Sequence, residues 1–320
     1  MMTHWTLGVD FGGTNIKFGI VGSTGRVHAA RVLSSRGIGR PAAFIEAVAD
    51  TAEDLARSVG LRPSQLRGIG VGAPGPVDVE RGIVYSMVNV PGWRDVPLAR
   101  QLARRLRCRC VVDNDVKLFT LGEWRFGAGR GAQHLIGLTL GTGVGGGLLL
   151  NGSLYRGCAG SAGELGHMVI DPSGPRCGCG ARGCLEAHIG TAAILRLARQ
   201  AAARRAGPLR ALLRQAKGRL TPELVSRAAR AGDRGAQQVW QEVGRALGVG
   251  MANLVNLLNP ERIVIGGGVA NAWPLFAPVA RRTLAAQAMA VPARRVRLMP
   301  AQLGNHAGIV GAAVLIWSQP

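Results

Sequence analysis

The sequence predicts an α/β protein built of two related lobes, and three observations carry that reading. Apolar strand patterns alternate with helical patterns along the chain. A strand, a Gly-Thr turn and a second strand open the sequence, and the same layout recurs at 134–154. The length of 320 residues, with 47% hydrophobic side chains, is enough for two packed domains.

The elements read in order as follows. HWTLGVDFGGTNIKFGIVGSTGRV at 4–27 is strand, Gly turn, strand, turn, strand. Residues 41–59 form an amphipathic helix with Phe44, Ile45, Val48 and Leu55 on its apolar face. An apolar strand at 67–73 ends in the turn signal GAPGPVD. PLARQLARRL is a helix, and CRCVVDND is a strand that ends in acids, with Cys108 and Cys110 facing the core. A helix follows at 116–126, then the second strand–Gly turn–strand, HLIGLTLGTGVGGGLLLNGSL. Helices fill much of 190–258. RIVIGGGVA is strand, Gly turn, helix; RVRLM is a last strand; an apolar helix at 306–317 closes the chain. No Ser- or Pro-rich linker separates the halves, which implies a packed hinge.

The net charge is +21, from 39 Lys and Arg against 18 acids, and only Lys17, Lys117 and Lys217 are lysines. Such charge attracts polyanions. Here it reads as compositional drift toward Arg, Ala and Gly, because no basic run leads into an aromatic stacking platform or a recognition helix. Nucleic acid is therefore not an expected partner. No leader is visible, and the longest apolar stretch is too short and too broken by Gly and Thr to span a bilayer. A cytoplasmic protein is expected. Of six Cys, three crowd into eight residues, which in a reducing compartment points to metal rather than disulfides.

Asp10, Gly12, Gly13, Thr14 and Lys17 form D-x-G-G-T-x-x-K between two strands. Glycines let backbone N–H groups approach phosphate, Thr14 adds a donor and Lys17 a charge. Asp10 repels phosphate but can hold a magnesium that bridges it. Gly141, Thr142 and Gly143 open a second such turn, so two turns can clamp one polyphosphate. Gly266, Gly267 and Gly268 suit close approach of a base or ribose, or equally an ordinary strand–helix turn.

Cys177, Cys179 and Cys184 lie in C-x-C-x4-C with glycines between them. With His167 they make a closed tetrahedral set for a structural Zn2+; His188 is the rival fourth ligand. The other nitrogen of His167 is left for a ligand. Glu164, three residues earlier, falls on the same side. Glu186 either reaches the same pocket or sits as a favourable carboxylate at a helix N-terminus. Asp113, Asn114 and Asp115 end a strand, where open α/β folds bind ligands. Asp115 suits a base that takes a hydroxyl proton as a phosphoryl group arrives, and Asn114 can bridge neighbouring hydroxyls. The same cluster also suits a helix N-cap.

Together, DFGGTNIKFG, GAPGPVD, NVPGW, NDVKLFTLGE, LGTGVGGG, GELGH, CGCGARGCLE and IVIGGGVA resemble the motifs of the ROK family of repressors, open reading frames and kinases, in order and over essentially the whole chain. The resemblance implies a two-lobed actin/hexokinase-like (ribonuclease H-like) ATPase fold with its active site in the inter-lobe cleft. Because the final helix packs back on the first lobe, it implies a discontinuous lobe of 1–113 with 305–320 and a larger lobe of 114–304. It implies Asp115 as catalytic base, and sugar contacts from Asn89, Asn114, Asp115, Glu164, His167 and Glu186, with Gly75 near the sugar. It implies zinc on His167, Cys177, Cys179 and Cys184, ATP with Mg2+ as donor, and a homodimer or higher homo-oligomer. Two features depart from the family pattern: Asp113 stands where Glu is common, and Lys117, Leu118 and Phe119 stand where small residues are usual.

The expected activity is transfer of the ATP γ-phosphoryl group to the 6-hydroxyl of a hexose, glucose being favoured by NVPGW and the intact zinc loop. Kinases of N-acetylglucosamine, N-acetylmannosamine, mannose or fructose would use nearly the same residues. Inorganic polyphosphate is an alternative donor. A sugar-sensing regulator is the alternative of a different class, but only nine residues precede Asp10, which leaves no room for a helix-turn-helix domain.

Overall fold

The computed structural model describes residues 4–36, 38, 40–87, 90, 92–204, 206–217 and 219–318. Contacts divide the chain into two compact units. One comprises Met1–Gly137, Gly147–Gly163 and Ala301–Pro320; the other comprises Leu138–Gly146 and Glu164–Pro300.

The chain begins with strands β1 (Trp5–Phe11), β2 (Asn15–Gly22) and β3 (Val27–Ser34), helix α1 (Pro41–Ser58) and strand β4 (Leu66–Ala73). Short strands β5 (Val77–Asp78), β6 (Ile83–Ser86) and β7 (Arg94–Val96) precede α2 (Leu98–Leu106), β8 (Cys110–Asn114) and α3 (Asp115–Phe126). Strands β9 (Leu135–Leu140), β10 (Val144–Leu150) and β11 (Ser153–Tyr155) follow, then α4 (Leu185–Ile189), α5 (Thr191–Arg204), α6 (Pro208–Gln215), α7 (Pro222–Arg230) and α8 (Arg234–Leu258). The last elements are β12 (Arg262–Gly266), α9 (Trp273–Gln287), α10 (Ala290–Arg295), β13 (Arg297–Pro300) and α11 (Ala307–Trp317).

In the first unit the sheet order is β3-β2-β1-β4-β8. The β1–β2 and β2–β3 pairs are antiparallel; β1–β4 and β4–β8 are parallel. Helix α1 buries Phe44, Ile45, Val48 and Leu55, the apolar face read from the sequence. Phe44 stacks on Phe11 at 4.8 Å between ring centroids, and Trp93 meets both rings edge-on. Such aromatic pairs add to plain area burial. Cys108 and Cys110 pack partly buried against this same cluster.

A second cluster joins Leu118 and Leu121 of α3 to Ile309, Val310 and Ile316 of α11. Glycine makes the approach of α11 possible: a Cβ on Gly8 of β1 would lie 2.1 Å from the Ile309 carbonyl oxygen, and one on Gly70 of β4 would lie 2.0 Å from that of Ala312. Helices α3 and α11 touch just as closely, with a Cβ on Gly311 falling 1.7 Å from the Leu118 carbonyl oxygen.

That packing bears on the expected boundaries. The division 1–113 with 305–320 against 114–304 differs from the observed grouping at 114–137, 147–163 and 301–304. Helix α3 groups with the first unit because it is wedged against α11. The fully buried Glu123 of α3 binds the returning chain, accepting N–H bonds from Gln302 at 3.1 Å and Leu303 at 2.7 Å, besides Ala128 at 2.8 Å. The small antiparallel sheet β5-β6-β7 is an addition to the sequence reading.

In the second unit α8 is the central helix, burying Val239, Trp240, Val243, Leu247, Met251 and Leu254. Asp233 caps it, accepting from the Ala236 N–H at 2.8 Å, and its other oxygen takes the Leu209 N–H at 2.9 Å. Trp240 stacks on Phe276 of α9. A second five-stranded sheet has the order β11-β10-β9-β12-β13, with β12 and β13 parallel. Among the described residues no helix is long and apolar enough to cross a membrane.

Candidate functional site

The first Gly-Thr turn joins β1 to β2. Asp10 and Lys17 are direct cross-strand partners in that hairpin, and the ammonium donates to the carboxylate at 3.2 Å. Burial pushes the Asp10 carboxyl above its ordinary range, against the pull of Lys17. The turn itself is pinned from outside. Ser35 donates its N–H to the Thr14 carbonyl at 3.0 Å and its hydroxyl to the Gly13 carbonyl at 3.1 Å. Space lies open beside Gly13, and Thr14 is exposed.

Strand β8 of the same unit delivers Asp113, Asn114 and Asp115 to the start of α3. Asn114 caps the helix, accepting from the N–H groups of Val116 at 3.0 Å and Lys117 at 3.2 Å. Its amide also donates to the Gly75 carbonyl at 3.3 Å. Gly75 has φ +96°, and a Cβ there would lie 2.4 Å from the Ser86 carbonyl oxygen, so glycine is required. Asp115 is half-buried at the first helical position, with one oxygen accepting the Val116 N–H at 2.9 Å. The N-cap reading is thus realised by Asn114, with the Asp115 carboxylate beside it at the first helical position. Asp113 is fully buried; it accepts the Asn114 N–H at 2.7 Å and pairs with Arg156 at 2.8 Å.

The second unit holds the other Gly-Thr turn, between β9 and β10. The Gly141 N–H closes it on the Gly143 carbonyl at 2.9 Å. The Gly141 carbonyl accepts from Thr191, through its N–H at 3.0 Å and its hydroxyl at 2.7 Å. Thr142 is exposed at the tip. Glu186 of α4 accepts the Val144 N–H at 2.9 Å, and a Cβ on Gly143 would lie 2.4 Å from the same carboxylate. After β12, Gly267 (φ +86°) passes so close to Leu140 that a Cβ would lie 2.3 Å from its carbonyl oxygen, while Gly268 faces open space.

His167, Cys177, Cys179 and Cys184 bring one donor atom each within 4.8 Å of one another. His167 Nδ1 lies 3.6 Å from Cys177 Sγ, and Cys179 Sγ lies 3.7 Å from Cys184 Sγ. A tetrahedron with zinc–sulfur bonds of about 2.3 Å and zinc–nitrogen bonds of about 2.0 Å has edges of about 3.5–3.8 Å. The donor set and spacing therefore fit a closed tetrahedral centre. Burial and the neighbouring sulfurs push the Cys184 thiol up to about 12, so ionising it calls for a nearby cation. His188 is not among the four clustered donors; its Nε2 is buried without a hydrogen-bond partner. Glu164 and His167 flank a single 3-10 turn, with the His167 N–H donating to the Glu164 carbonyl at 3.1 Å. That spacing puts the two side chains in line. Glu186 also neighbours the cluster, 3.8 Å from Cys177 Sγ.

Of the expected residues, the first unit carries Asp10, Gly12, Gly13, Thr14, Lys17, Gly75, Asn114 and Asp115. The second carries Gly141, Thr142, Gly143, Glu164, His167, the three cysteines, Glu186 and Gly266–268. Asn89 lies outside the described residues. Sequence reasoning missed Arg156 and Thr191, whose roles come from distant partners. A cavity of ≈ 1010 Å³ beside α1 and α2, lined by Arg40, Ile45, Glu46 and Arg104 among others, includes none of the expected site residues.

Residues 6–319 match the ROK family, and the chain belongs to it. The glucokinase of Halalkalibacterium halodurans is 37% identical over 320 residues, covering 100% of this chain and 97% of the relative. The glucokinase of Thermotoga maritima is 36% identical, covering 97% of this chain and 96% of the relative. The crystal structure of a ROK family glucokinase from Streptomyces griseus in complex with glucose and AMPPNP superposes with a TM-score of 0.83 at 34% identity, covering 97% and 98% of the two chains.

Proposed function

We propose that this chain is a glucokinase, transferring the γ-phosphoryl group of ATP, as its magnesium complex, to the 6-hydroxyl of glucose. The observation that carries the reading is end-to-end likeness, at 36% identity or more, to two bacterial glucokinases. The neighbour bound to glucose and AMPPNP supports the same donor and acceptor.

In this reading Asp115 accepts the sugar hydroxyl proton as the phosphoryl group arrives; its half-buried carboxylate and its place at a helix start, at the end of a strand, suit the task. Asn114, held by its cap bonds and by its bond to the Gly75 carbonyl, orients neighbouring hydroxyls, and Asn89 is a further proposed sugar contact. Glu164, His167 and Glu186 complete sugar recognition. The two Gly-Thr turns cradle the phosphates, Asp10 faces magnesium and Lys17 tempers its charge. Gly266–Gly268 leave room for the nucleoside. His167, Cys177, Cys179 and Cys184 would hold a structural zinc. With all four positions filled, that ion supplies fixed geometry rather than a Lewis acid. The protein works in the cytoplasm as a homodimer or higher homo-oligomer.

Incubating the protein with ATP-magnesium and glucose and reading the product by phosphorus NMR tests the proposal. Glucose 6-phosphate is the expected product. ATP turnover without a sugar phosphate, or phosphate on another hydroxyl, contradicts it.

A further inference from the structure

The loop 157–163, sequence GCAGSAG, has little reason of its own to be ordered. Gly157, Gly160 and Gly163 all have positive φ, at +70°, +73° and +100°, in a segment of seven residues. Such a glycine-rich stretch loses much conformational freedom when fixed. It also runs directly into Glu164 and His167, two of the residues proposed to recognise sugar.

Two part-buried cationic contacts hold this loop to residues at and just before the start of α3. Lys117 is only 4% exposed, and its ammonium donates to the Gly160 carbonyl. Arg156, the residue before the loop, pairs with the fully buried Asp113 through Nε at 2.9 Å and a terminal nitrogen at 2.8 Å. The Ala162 N–H returns to the Arg156 carbonyl at 2.9 Å, closing the loop on its own base. Gly160 is also seated against β5: a Cβ there would lie 2.7 Å from the Val77 carbonyl oxygen. A buried ammonium is costly unless satisfied, so Lys117 is kept where it does something specific. Lys117 and Asp113 flank Asn114 and Asp115 in sequence. The segment carrying the proposed base and the loop leading to Glu164 are thus fastened to each other from both sides.

We propose that Lys117, seconded by Arg156 on Asp113, is a positioning residue for hexose recognition. By fastening the Gly160 carbonyl it orders the loop 157–163 and fixes the point from which the chain leaves for Glu164 and His167. Lys117 touches no substrate in this account, so its removal should weaken sugar binding more than phosphoryl transfer. The proposal rests on the kinase reading above, and a thiol within the loop gives a readout independent of activity. Cys158 is exposed and free.

The test compares the full-length wild type with Lys117→Met, Lys117→Arg and Gly160→Ala. Each is alkylated with iodoacetamide and the Cys158 peptide followed by mass spectrometry; glucose and ATP KM values and kcat are measured in parallel. Lys117→Met should alkylate at Cys158 several-fold faster and raise the glucose KM by at least about tenfold, the scale of one lost charge-assisted hydrogen bond. The ATP KM and kcat should change much less. Lys117→Arg should recover part of both effects, because it keeps a cation within reach of the carbonyl. Gly160→Ala leaves Lys117 intact but unseats the loop, and should reproduce both effects even if Lys117→Met fails to fold. An unchanged Cys158 rate in folded Lys117→Met and Gly160→Ala overturns the tether. A faster rate with unchanged glucose KM, or a fall in kcat alone, overturns the recognition role. Should the wild type phosphorylate no hexose, the function proposed above fails, while the alkylation rates still decide whether Lys117 orders the loop.

Discussion

The two Gly-Thr turns share a sequence plan but are held by different means. The first carries its own charge: Asp10 and Lys17 face each other within the hairpin, and Ser35 braces it from outside. The second has no charged residue of its own. It takes a carboxylate from Glu186, which lies against the Cys–His cluster, and two hydrogen bonds from Thr191 to the Gly141 carbonyl. The first turn thus holds its charged pair within its own hairpin. The second depends on a neighbouring segment that carries the Cys–His cluster.

The difference can be broken from the first unit's side with the largest effect. Asp115→Ala should lower kcat by about 10²–10⁴-fold, the usual worth of a general base, with zinc content and thermal stability unchanged. Substantial residual turnover removes Asp115 from that role. From the other side, Cys179→Ser should reduce zinc to well below one per chain and raise the glucose KM by about tenfold or more, since Glu186 and His167 both adjoin the cluster. Full zinc retention, measured by elemental analysis, means that the ligand set is wrong.

Asp10 sharpens the comparison because function and stability should separate there. Burial raises its pKa in the folded chain above the unfolded value of 3.8, so the folded state holds the proton more tightly. Stability therefore falls as pH climbs between the two values and stays lower above them. Asp10→Asn removes that penalty. It should leave the melting temperature of the ligand-free protein at pH 7 unchanged or raised, while kcat/KM for ATP-magnesium drops by about a hundredfold. A clear loss of stability, read by differential scanning fluorimetry, reverses the assignment.

Glu186→Ala tests the borrowed support directly: it strands the Val144 N–H and should cost about 1–3 kcal/mol in urea unfolding. The smallest effect lies on the strand that leads to Asp113. The Cys110 thiol stabilises the Cys108 thiolate by hydrogen bonding, which lowers the Cys108 pKa and raises that of Cys110. At neutral pH Cys108 should therefore alkylate before Cys110.

Most of the fold was legible because its signals are local. The Gly-turn hairpins, the amphipathic α1 and the apolar closing helix declare themselves by period and by glycine placement. The β5-β6-β7 sheet did not, since strands of two to four residues give no alternation to read. The grouping of α3 with α11 was not legible, because nothing in DVKLFTLGEW announces that Gly122 will touch α11 or that Glu123 will bind residues 302 and 303. The Cys–His cluster was readable from spacing alone, and its four donors do converge. Glu186 was read as either a pocket carboxylate or a helix N-terminal one; its bond to the second Gly-Thr turn was not legible, because the partner lies 42 residues away. Lys117 stood out only as a departure from pattern; its partner, Gly160, is a carbonyl that no sequence rule would single out.

The most direct test of the central claim is kcat/KM for ADP release from ATP-magnesium across glucose, mannose, fructose, N-acetylglucosamine and N-acetylmannosamine. The account predicts that glucose gives clearly the highest value. A higher value for an N-acetylated sugar contradicts the substrate assignment, and no ADP release with any of the five contradicts the kinase reading itself.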